Sequence, residues 1–85
     1  METKSYLCRK AETRGHKYSI EIRRIEPVIY YEVVQRTHDE KQAVSTGIPD
    51  IEAAYKKFDD IVTAAQQIDG INYIERSPNP YRHNL

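Results

Sequence analysis

Between Asp50 and Asp69, apolar side chains recur at helical spacing: Ile51, Ala54, Tyr55, Phe58, Ile61, Val62 and Ala65. At about 100° per residue they fall within an arc of roughly 120°, with Glu52, Lys56, Asp60, Thr63 and Gln67 opposite. That is the pattern of one helix with one buried face. Such a face needs a partner, and the residues before it break into short stretches with strand character. The sequence therefore predicts an α+β domain, an antiparallel β-meander of four to five strands packed against one long C-terminal helix.

The strands are read from period-two alternation and from the residues that interrupt it. Ser5–Ala11 is a first strand, closed by the polar turn Glu12–His16. In Lys17–Ile25, Tyr18, Ile20 and Ile22 alternate with Ser19, Glu21 and Arg23, as in a sheet with one wet face. Pro27 breaks the ladder. Val28–Thr37 is the most β-rich stretch, and it is apolar on both sides: Ile29, Tyr31 and Val33 on one, Val28, Tyr30 and Val34 on the other. Ala43–Ile48 is a short fourth strand and Ile71–Arg76 a fifth.

Pro49 and Asp50 suit a helix start, since proline loses no hydrogen bond in the first turn and a carboxylate there meets the positive end of the macrodipole. Glu52 and Lys56 form a favourable i,i+4 pair on the wet face. Gly70 stands where a left-handed cap is expected, with Ile71 placed to fold back toward Ala65. Ser77–Leu85, containing Pro78 and Pro80, shows no periodicity and reads as a loosely docked tail. Residues 1–76 are thus expected to form one domain and residues 77–85 its tail.

A chain of 85 residues has room for one core, burying about 60–65% of the surface exposed by its unfolded form. Only 39% of residues are apolar and 31% are charged, so few large side chains must build that core. The expected members are Tyr18, Ile20, Ile22, Ile29, Tyr31, Val33, Tyr55, Phe58, Ile61 and Val62. One cysteine, Cys8, cannot close an internal disulfide, and no stretch is apolar enough for a signal peptide or a membrane span. Both features point to the cytoplasm.

The residues that could carry catalysis are scattered. His16, His38 and His83 stand alone, and the adjacent trio His38, Asp39 and Glu40 lacks a second cluster to complete a metal site. Asp59 and Asp60 point about 100° apart on the helix, which is not the geometry of a carboxylate dyad. Cys8 reads as a small hydrophobe on a strand. Only three glycines occur, none in a phosphate-cradling loop. The expectation is a protein without catalytic residues, metal or cofactor.

Two binding functions remain. In the first, the chain is a non-catalytic protein-interaction module acting through a sheet face or edge. One helix can cover only one face of a small sheet, so Val28, Tyr30 and Val34 require cover from a second copy, from another protein, or from curvature or the tail of the same chain. In the second, single-stranded nucleic acid binds the N-terminal hairpin, with Arg9, Lys10, Arg14 and Arg23 on phosphates and Tyr6 stacked on a base. Residues 1–25 hold seven basic and three acidic groups, a balance of +4, whereas residues 50–69 hold two and five, for −3. A formal net charge of zero weighs against bulk attraction to a polyanion and favours the first reading.

Overall fold

A computed structural model describes residues 2–37 and 40–76. It forms the expected meander and helix: β1 (Lys4–Glu12), β2 (Ser19–Glu26), β3 (Tyr30–Arg36), β4 (Lys41–Ile48), α1 (Ile51–Ile68) and β5 (Ile74–Glu75). All strand pairs are antiparallel, in the order β4-β3-β2-β1-β5. After α1, the chain therefore returns to the far side of β1. The proposed tail, residues 77–85, lies outside the described residues, as do His38 and Asp39.

The ends of α1 follow from local chemistry. The Asp50 carboxylate accepts a hydrogen bond from the Ala53 N–H at 2.9 Å and caps the first turn. Pro49 thus precedes the cap and does not occupy the first helical position. At the other end Gly70 adopts φ +66, and the Ile71 N–H turns back onto the Ala65 carbonyl at 3.1 Å. Lys56 pairs with Asp60 at 3.4 Å, one turn onward, and not with Glu52.

The core lies between α1 and one sheet face, where Ile20, Ile22, Val33 and Ile48 meet Ala54, Phe58 and Ala65. Tyr18, Tyr31, Ile61 and Val62 pack around it, half-buried. Two expected members are absent. Ile29 belongs to the β2–β3 turn, which begins at Pro27 after a cis peptide bond. β3 starts only at Tyr30, and Ile29 is 53% exposed. Tyr55 sits at the margin of the helix's apolar arc and stays 40% exposed. The core also takes in Ala11, Ile48 and Tyr73, whose signal in short or mixed segments is weak.

The opposite face has no helix over it, yet Val34 is only 1% exposed and Ile25 is buried. Charged side chains close that face. Arg23 and Arg36 both bind the Glu21 carboxylate, at 3.1 and 3.0 Å. Glu21 stands directly across from Val34, so the Arg36 stem passes beside Val34 to reach its partner. The second apolar face of β3 is thus covered largely from within the chain, and Val34 offers no surface to a partner.

Candidate functional site

The residues expected to bind a protein divide cleanly. Val34 is buried, Tyr30 is half-buried and Val28 is 76% exposed at the turn between β2 and β3. Ile29 beside it is also exposed. A shallow cavity of about 180 Å³ opens under this turn, lined by Thr3, Ile25, Glu26, Pro27, Val28 and Tyr30. Two of its lining residues, Ile25 and Tyr30, are cross-strand partners. Turn tips are usually polar, and a tip carrying two adjacent aliphatic side chains is therefore unusual.

The β4 edge of the sheet is less inviting. β4 is an outer strand, but its pairing with β3 is interrupted twice, between Tyr31 and Val33 and between Val33 and Val34. Three steps along β4, from Ser45 to Ile48, oppose two steps of β3, from Tyr31 to Val33, in the first interruption. Gly47 there takes φ +70, a conformation that suits glycine. Bulges of this kind twist an edge away from further pairing. β1 has one bulge, at Cys8, between the pairs Leu7–Arg23 and Arg9–Ile22.

The nucleic-acid candidates do not converge. Alternation from the bulge places Tyr6 and Arg9 on the helix side, with Lys10 and Arg23 on the other face. Arg14 stands in the β1–β2 turn. Arg9 is engaged inside the fold: its guanidinium lies over the rings of Phe58 and Tyr55, at 4.5 and 5.3 Å, and it binds Asp59 and Glu75 at 3.3 and 3.1 Å. Lys10 meets Glu12 at 3.5 Å, and Arg23 also bonds the Ser5 hydroxyl at 2.7 Å. Tyr6 is exposed. Arg14 carries no ion pair among the described residues.

Glu12, expected in the β1–β2 turn, is a hub. It ends β1, is 8% exposed, and gathers His16 Nδ1 at 2.8 Å, Lys10 Nζ at 3.5 Å and Arg76 Nε at 3.9 Å. Burial acts to raise its pKa, but the hydrogen bond from His16 and the charge of Lys10 outweigh that and hold it below the ordinary value. Cys8 is half-buried, and burial pushes its thiol up, away from nucleophilic character, against the opposing influence of Arg24 and Arg23. The Tyr73 hydroxyl is buried without a completed hydrogen bond, and burial raises its pKa although Gln35 lies close.

Asp59 and Asp60 go to different partners, Arg9 and Lys56. Among the described residues no three of the His, Cys, Asp and Glu side chains gather closely enough to hold a metal ion. The trio containing His38 and Asp39 lies outside the described residues, and so does His83. No described helix is long and apolar enough to cross a membrane. Comparison with protein-family models, with curated proteins and with solved structures finds no match to this chain.

Proposed function

We propose that this chain is a non-catalytic, cytoplasmic protein-interaction module whose contact surface is the apolar end of its sheet, formed by Val28, Ile29 and Tyr30. The observation that carries this reading is the pair of adjacent aliphatic side chains at the β2–β3 tip, 76% and 53% exposed. Other large apolar side chains are exposed as well, namely Tyr6, Val44, Tyr55, Ile68 and Ile74, but among the described residues only at this tip are two of them consecutive. Leaving two of them outside a fold this thin is a cost in solubility that an interface would offset. The cavity under the tip supplies concave relief for one side chain of the partner.

Self-association is one form of this reading and a different protein is the other. Sedimentation of the wild-type chain and of the double variant Val28→Ser, Ile29→Ser decides between them, together with capture from the source cell. A partner held by wild type and lost by the folded double variant supports the module. If both chains are monomeric and retain the same proteins, the tip is an ordinary surface.

A further inference from the structure

Among the described residues, the outer edge of β1 is the one place where a regular run of sheet backbone stays open in a charged setting. β5 pairs only with Ala11 and Glu12, and the next backbone bond runs from the Arg76 N–H to the Lys10 carbonyl at 2.7 Å. From Lys4 to Arg9 no strand lies outside β1 among the described residues. Unlike β4, this edge is regular up to its bulge, pairing Lys4, Ser5, Tyr6 and Leu7 in step with Glu26, Ile25, Arg24 and Arg23. An open, regular edge of this length accepts an added strand through main-chain hydrogen bonds.

The chemistry of the edge selects among strands. Lys4, Arg9 and Lys10 are cations, and no acidic residue lies between positions 4 and 10. β5 already shows the complement: from the strand position outside β1 its Glu75 carboxylate reaches Arg9 at 3.1 Å. Lys4 lies beyond the reach of β5, exposed and without an ion pair among the described residues. Tyr6 is likewise exposed, on the helix side. A second copy of β1 laid antiparallel across Lys4–Arg9 would set Lys4 of one chain against Arg9 of the other, and like charges placed opposite are unfavourable.

We infer that an acidic, extended segment of a partner protein adds to β1 along Lys4–Leu7 as a further antiparallel strand, setting a carboxylate on Lys4 and an apolar side chain on Tyr6. This rests on the reading of the chain as a protein-binding module and names the chemistry of its partner. The edge begins beside the apolar tip, since Lys4 pairs with Glu26 and Thr3 lines the cavity there.

The test is nuclear magnetic resonance of the isotope-labelled full chain titrated with capped heptapeptides. One is Glu-Thr-Val-Thr-Glu-Thr-Val, which puts glutamate and valine in turn on the face that Lys4 and Tyr6 share; a second has lysine in place of glutamate, and a third is the acidic peptide N-methylated at alternate residues. The expected result is that the acidic peptide shifts the amides of Lys4–Leu7 and slows their hydrogen exchange. N-methylation should weaken it at least about tenfold, and Lys4→Glu should reverse the preference toward the lysine peptide. Equal binding of the N-methylated peptide, or no shift with any peptide, overturns the inference. Shifts confined to Val28–Tyr30 overturn it too, while leaving the module itself standing. Shifts at Lys4–Leu7 that grow with chain concentration in the absence of peptide place a second copy on the edge and overturn the acidic partner.

Discussion

The guanidinium of Arg9 lies over the ring of Phe58, with 4.5 Å from its central carbon to the ring centroid. α1 packs its backbone against β2, β3 and β4 and makes no close approach to β1. Arg9 fills the gap between them, where an apolar side chain would ordinarily sit. It also reaches Glu75, so one side chain joins β1, α1 and β5.

Arg9→Ala should therefore destabilise the fold by about 1–2 kcal/mol, most of it from the ring contacts, because the Asp59 carboxylate is largely exposed and its pairing is screened. Arg9→Lys should recover little, since an ammonium cannot lie flat on a ring and bind Glu75 together. A urea titration with equal midpoints for wild type and Arg9→Ala would show that the gap closes without it.

Phe58 is 2% exposed at the centre of the helix's apolar arc. Phe58→Ala should cost about 3–5 kcal/mol, a large fraction of the stability of a domain this small. Lys57→Ala, on the exposed flank, should leave the denaturation midpoint unchanged. Small, similar losses from both would mean that α1 does not pack through this face.

Glu12 makes the fold acid-sensitive in a defined direction. Its pKa in the folded chain lies below the ordinary glutamate value, because the His16 hydrogen bond and the Lys10 charge outweigh burial. The stability it contributes is full above the unfolded value and is lost as pH falls through the folded one. The melting temperature of wild type should consequently fall more steeply than that of Glu12→Gln between about pH 5 and pH 3. Parallel curves would remove Glu12 from the acid response.

For nucleic acid, labelled single-stranded DNA and RNA at ~50 mM salt should give dissociation constants no tighter than about 10⁻⁶ M, the non-specific range. The cations of the first two strands are divided between two faces, and Arg9 is already neutralised by Asp59 and Glu75. Tight binding in which Arg9→Ala lowers the salt slope by about 0.7 would restore the basic hairpin as a binding surface.

The helix, its glycine cap and the meander were legible because each rests on contacts near in sequence. Asp50 caps a residue three positions on, and Ile71 returns to Ala65. What resisted reading was decided across strands. Val34 looks exposed by alternation, and only the register that sets Glu21 opposite it, with Arg23 and Arg36 drawn in, reveals its cover. Ile29 matches the period of β3, yet the turn after Pro27 takes it out of the strand. Arg9 reads as a solvated cation until α1 supplies its rings. At the candidate site, Val28 was visible as an apolar residue beside a strand breaker, while the open edge of β1 depends on how few residues β5 contributes.

The bond from Arg9 to Glu75 joins residues 66 positions apart. It closes a ring that contains the other strands and the helix, whereas the successive hairpins need only neighbouring segments. Because local pairing pays its loop-closure entropy over short distances, the meander can assemble before the ring shuts, with β5 docking late. The same order in reverse makes β5 the first element to detach under tension between residues 4 and 75, baring the remainder of the β1 edge while the hairpins hold.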